Sequence, residues 1–325
     1  MQQLAQDIAN NTYKRCYLLY GDEDYLRKQY KDRLLTALMP DGDTMNFNKY
    51  SGKDINVGEV IDQAETMPFF ADRRVILIED SGMCKGGGEQ LASYLEDSAE
   101  STVIIINESE VDKRSKLFKA VSSKGRACEF VKQPEETLRK WILGRVKKED
   151  KKIDARAVET LLERTGTDMT TINTELEKLF TYTLHKDAIS DMDVREIVTV
   201  STGSRVFDMI AAMAEKKQAL ALQMYHDLLE HKETPFGVLA LIGRQFNMML
   251  RVKELKEDGY GSRQIAEKTG LAPFIEQKYE RQAAGFKTER IRQALEACVR
   301  ADEDVKIRSV DPKLSVELLI IEYSA

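Results

Sequence analysis

Hydrophobic periodicity changes once along this chain, and that change constrains the fold more than any other feature. Up to residue 131, short β-branched runs alternate with helical patterns; after Pro134 no such run recurs. Cys16-Tyr17-Leu18-Leu19-Tyr20 reads as a strand, followed by a helix over 24–39. A second strand is expected over 44–50 and a helix over 57–66. Val75-Ile76-Leu77-Ile78 and Val103-Ile104-Ile105-Ile106 are continuous apolar runs, as strands buried on both faces require. A glycine-rich loop at 86–88 precedes a helix over 89–95. A helix over 113–121 and a strand over 127–131 close the series. The alternation predicts βαβ units and a mostly parallel sheet.

From 135 onward only helices are predicted: 135–146, 154–165, 168–184, 190–199, 204–231, 235–257, 261–268, 273–284, 288–304 and 312–323. Thr234-Pro235, Asp258-Gly259 and Asp311-Pro312 punctuate them. The expected order is an α/β domain over 1–140, a small helical domain over 141–208 and a larger helical domain over 209–325. A length of 325 residues suits two or three domains.

Composition excludes several functions. A net charge of -6 argues against a chain that coats nucleic acid over its whole surface. Cys16, Cys84, Cys128 and Cys298 form no C-x-x-C pair, which points to reduced, buried thiols in a cytosolic protein. His185, His226 and His231 fall in no metal-binding pattern, so neither metal nor cofactor is expected. Residues 1–15 lack an apolar signal segment, and no run is long enough to cross a bilayer. The expected location is cytoplasmic, with no membrane partner.

A parallel α/β domain invites a search for a phosphate loop after the first strand. Gly21 stands in the right place, but the chemistry is wrong. A phosphate loop needs a second glycine five residues on, then Lys and Ser/Thr. Those positions hold Leu26, Arg27 and Lys28, and Asp22-Glu23-Asp24 puts three carboxylates where a polyanion would lie. Glu79-Asp80 ends an apolar strand as magnesium-binding acids do in ATPases, yet without the loop it reads as a buried strand ending in solvent. Asn107 ends the next strand, where such ATPases keep a polar sensor. No G-x-S-x-G, H-E-x-x-H or other catalytic constellation is present. The α/β domain reads as an ATPase-like scaffold without its nucleotide and without catalysis of its own.

Several segments, in order, resemble the delta subunits of bacterial clamp loaders. Residues 17–23 (YLLYGDE) are similar to that family's degenerate phosphate loop. Residues 64–74 (AETMPFFADRR) are similar to its segment before the central strand, and 111–119 (VDKRSKLFK) to its D-x-R-x-K-like stretch. ELEKL at 175–179, RQF at 244–246 and ADEDVK at 301–306 continue the likeness. The resemblance implies an AAA+-like parallel-sheet domain, a helical lid and a C-terminal helical collar that assembles with other loader subunits. It implies a protein that binds and opens the beta sliding clamp for loading onto primed DNA in replication. ATP hydrolysis would belong to neighbouring subunits, and the ring would include a delta-prime subunit. Carried over by position, the clamp-binding residues are Phe69 and Phe70, with Met67 beside them. The competing physical reading packs both rings into the core.

Two other readings come from the residues. Gln264-Ile265-Ala266 followed by Gly270-Leu271 has helix-turn-helix spacing, although Pro273, Glu276 and Glu280 suit a DNA-facing helix poorly. An ATPase-like adaptor with no clamp partner is the other. Phe207, Ile210, Met213, Leu220, Met224 and Leu228 are expected in the helical core. Arg244, Gln245 and Arg251 are expected on a solvated or partner-facing helix face.

Overall fold

The two isoleucine-rich runs pair with each other: Ile76 lies opposite Ile104 and Ile78 opposite Ile106 in a parallel ladder. The computed structural model that shows this describes residues 1–39, 44–271, 273–308 and 310–324. The chain divides into two compact units, Met1–Gln133 and Pro134–Ala325.

In the first unit the elements are α1 (Gln2–Ala9), β1 (Cys16–Tyr20), α2 (Asp24–Leu38), β2 (Phe47–Ser51) and α3 (Val57–Glu65). They continue with β3 (Arg74–Glu79), α4 (Glu89–Tyr94), β4 (Thr102–Glu108), α5 (Lys116–Lys124) and β5 (Arg126–Glu129). The strands form one sheet in the order β2-β3-β4-β1-β5, with every pair parallel. Every residue of β1 and β3 is buried, whereas the edge strands β2 and β5 are partly open. The apolar runs are thus the central strands, where helices cover both faces. Each fully buried Ile or Leu there stabilises the unit by roughly 1.5–3 kcal/mol.

Helix α1 is absent from the sequence expectations. Its anchors are tertiary: Leu4 is buried, and the buried Asp7 carboxylate accepts from Arg126 Nε at 2.6 Å and from the Tyr17 hydroxyl at 3.2 Å. Helix α5 starts at Lys116, not 113, because the Ser115 side chain caps it by accepting from the Phe118 amide.

The second unit contains α6 (Glu135–Lys148), β6 (Lys152–Ile153), α7 (Ala155–Thr165), α8 (Met169–Tyr182), β7 (Ala188–Ile189) and α9 (Asp191–Ile197). Then come α10 (Thr202–Ala214), α11 (Gln218–Glu230), α12 (Pro235–Glu257), α13 (Ser262–Thr269), α14 (Pro273–Ala284), α15 (Thr288–Arg308) and α16 (Pro312–Tyr323). Two expectations are corrected here. The segment 204–231 is two helices, broken where Lys216 adopts φ +59° and the chain turns without a glycine or proline to announce it. The region is also not purely helical, since β6 and β7 form a short parallel pair. Helices α10 to α16 share one core that includes Tyr225, Ile242, Phe246 and Met249. Ile210, Met213 and Leu228 join it as expected, but Leu220 is 40% exposed. No single described helix is long and apolar enough to cross a membrane.

Candidate functional site

The segment between α3 and β3 carries the largest apolar side chains that the first unit leaves in solvent. α3 ends at Glu65, and β3 cannot start until Arg74, so eight residues must turn outside the sheet. Met67 is 81% exposed, Phe69 56% and Phe70 94%. The core reading of the two rings is therefore overturned. They pack on each other edge to face, with centroids 4.5 Å apart at 80°. Phe70 has φ +50°, a left-handed conformation that costs a bulky side chain on the order of 1–3 kcal/mol.

Polar contacts hold both ends of this loop. The buried Arg74 donates from Nε to the Thr66 carbonyl at 3.0 Å and from Nη1 to Asn48 Oδ1 at 2.9 Å. The Arg73 guanidinium lies 4.7 Å above the Tyr13 ring. In the middle, the Asn46 side chain bonds the backbone of Phe69. Sequence reasoning found the apolar residues but missed Asn46, because nothing local links positions 46 and 69. Met45, beside it, is also exposed and was not anticipated.

At the C-terminal edge of the sheet, the segment in the phosphate-loop position is occupied by the chain itself. Gly21 has φ +122°, and a Cβ there would lie 2.2 Å from the Phe130 carbonyl oxygen. That close approach lets the exits of β1 and β5 bond to each other. Phe130 N–H donates to Tyr20 O at 2.7 Å, and Glu23 N–H donates to Phe130 O at 3.0 Å. The Lys132 amide donates to Asp22 Oδ1 at 3.3 Å, and its ammonium lies 3.4 Å from the buried Glu23 carboxylate. Leu26 is buried, Arg27 turns back onto Asp24, and Lys28 faces solvent. The Glu23 amide, which in a phosphate loop would face the ligand, is thus spent on a peptide carbonyl, with carboxylates at the positive end of α2.

The acids after β3 are engaged as well. Glu79 accepts from Lys31 at 2.7 Å, pairs with Lys49 at 2.7 Å and accepts from Asn107 Nδ2 at 3.2 Å. Burial alone would raise its pKa, but hydrogen bonds from Lys31 and Lys49 outweigh burial and hold it down at about 2. Two ammonium groups thus supply the positive charge that a metal ion would bring. Asp80 is exposed with φ +52°. The turn behind it is tied by Glu108, whose buried carboxylate accepts from the amides of Ser81 and Gly82 at 3.0 and 3.1 Å.

In the second unit, Gln245 turns inward to the Tyr279 hydroxyl, while Arg251 stays exposed. The expected common face of Arg244, Gln245 and Arg251 is therefore split. Arg244 and Tyr279 help line a cavity of about 480 Å³ with Arg164, Phe207 and Asp208. The pair α13 and α14, read as a possible helix-turn-helix, packs against α12. Its Glu276 is fully buried and accepts from Ser262 rather than facing outward.

A parallel α/β sheet followed by a helical region gives the chain an AAA+-like architecture. Comparison with known proteins makes the assignment specific. Residues 17–131 match the family described as DNA polymerase III, delta subunit, and residues 203–323 match the C-terminal domain of the DNA polymerase III delta subunit. The chain is 28% identical to DNA polymerase III subunit delta of Bacillus subtilis, over 94% of this chain and 92% of that protein. A probable DNA polymerase III subunit delta of Aquifex aeolicus is 21% identical over 82% of this chain and 79% of the relative. The solved structure of the Bacillus subtilis DNA clamp loader delta protein superposes with a TM-score of 0.68 at 25% identity, covering 99% of each chain. The chain belongs to the DNA polymerase III delta-subunit family.

Proposed function

We propose that this chain binds and opens the beta sliding clamp through the Met67–Phe70 loop, and that it hydrolyses no ATP itself. Membership of the delta family supports a clamp-loader role in DNA replication. The observation that carries the finer reading is the exposure of three large apolar side chains on one tethered loop. Burying two Phe side chains contributes roughly 1.5–3 kcal/mol each, a large part of the roughly 8 kcal/mol that a micromolar contact represents. Two adjacent aromatics on a fixed backbone form the compact anchor that hot spots use.

The closed Gly21 loop and the lysine-neutralised Glu79 support the absence of hydrolysis. On this reading ATP is bound by neighbouring subunits. The chain works in the cytoplasm in a ring with those subunits and delta-prime, on primed DNA, with residues 141–208 as lid and 209–325 as collar. The test is surface plasmon resonance against a bacterial sliding clamp without nucleotide. Wild type binds, and the Phe69→Ala/Phe70→Ala variant does not while keeping its circular dichroism. Normal binding by that variant removes the assignment of the site.

A further inference from the structure

Asn46 precedes β2 in sequence, yet its side chain ends on the loop that leads into β3. It is only 1% exposed. Its Oδ1 accepts from the Phe69 amide at 2.6 Å, and its Nδ2 donates to the Phe69 carbonyl at 2.9 Å. Its own carbonyl accepts from the Val75 amide at 2.8 Å, so the clasp is fixed to the start of the β2–β3 ladder. One side-chain amide thereby satisfies both backbone groups of one residue, as a neighbouring strand would.

The consequence falls on the next residue. Phe70 stands at φ +50° with its ring almost wholly in solvent. A bulky residue keeps such a backbone only where its surroundings impose it. The Phe70 ring packs on Phe69, and Phe69 is what Asn46 holds. We propose that Asn46 is the positioning residue of the clamp-binding loop: it builds the Phe69–Phe70 wedge before the partner arrives. This rests on the reading that Phe69 and Phe70 bind the clamp.

No other side chain of similar size does the same work. Asp keeps the acceptor for the Phe69 amide but sets a carboxylate against the Phe69 carbonyl. Leu leaves both backbone groups without a partner, and Gln is one methylene too long.

The test uses the full chain, with Asn46→Ala, Asn46→Asp and the Phe69→Ala/Phe70→Ala variant run side by side on an immobilised sliding clamp. Hydrogen exchange is followed on each protein. With a prebuilt wedge, both Asn46 variants bind roughly tenfold or more weakly, mainly through slower association, because fewer molecules hold the competent conformer. In Asn46→Ala the Phe69 amide exchanges faster while the β3 amides keep their protection, a separation that a general structural role does not produce. Wild-type binding by both Asn46 variants, with binding lost in the double alanine variant, overturns the proposal and leaves the wedge standing. Weak binding accompanied by loss of protection throughout β2 and β3 also overturns it, by reducing Asn46 to a fold residue. Normal binding by the double alanine variant instead removes the wedge itself.

Discussion

Lys31 on α2 and Glu79 at the end of β3 meet at 2.7 Å, and Lys49 reaches the same carboxylate from β2. Helix, edge strand and central strand are thus joined at the edge of the sheet where the ATPase-like scaffold would hold its metal.

This pairing makes stability pH-dependent with a definite sign. The folded pKa of Glu79 lies below its ordinary value, at about 2. Its contribution is therefore complete above about pH 5 and is lost as pH falls toward 2. Glu79→Gln is expected to cost on the order of 2 kcal/mol at pH 7. The gap from wild type should close by pH 2–3, as read by urea denaturation at each pH. A gap that stays constant with pH would show that the lysines do not set the stability of this edge.

Gly21 and Gly52 separate strain from collision. Both have positive φ, but a Cβ at Gly52 meets nothing within 4 Å, whereas at Gly21 it strikes the Phe130 carbonyl. Gly52→Ala should cost about 1 kcal/mol. Gly21→Ala should cost roughly 3 kcal/mol or more, since the exits of β1 and β5 must move apart. Thermal melts of the two variants compare the effects directly.

Phe70→Gly should move stability and binding in opposite directions. Glycine accepts φ +50° without a Cβ penalty, and the lost ring is in solvent. The free energy of unfolding should stay level or rise by up to about 1 kcal/mol. Clamp binding by surface plasmon resonance should fall at least tenfold. A parallel loss of both would place the Phe70 ring in the fold rather than at an interface.

With the phosphate-loop position closed, millimolar ATP with magnesium should leave the melting temperature of the isolated chain unchanged. A ligand present at a hundred times its Kd would stabilise by about 2.7 kcal/mol, an easily measured shift. Such a shift would mean that the β1–β5 closure opens for nucleotide.

Local sequence determined much of this protein. Val75–Ile78 and Val103–Ile106 had to be central strands, because only a doubly covered position hides every side chain of such a run. Pro235 and Pro312 mark helix starts because proline lacks the N–H that the first turn leaves unused. The acids at 22–24 were legible as hostile to phosphate, whereas Met67, Phe69 and Phe70 became clamp-contact candidates only through the family resemblance. The tertiary structure decided the rest. Helix α1 depends on Asp7 meeting Arg126, the turn at Lys216 carries no punctuating residue, and Leu220 is exposed despite its helical spacing. Whether the two rings lay in the core or in water was undetermined until β2 paired with β3. That pairing sets Asn46 against Phe69 across 23 residues of sequence and brings Lys49 of β2 to Glu79 of β3. Periodicity reports which face a residue prefers, but a contact between distant segments exists only once strand order brings their backbones together.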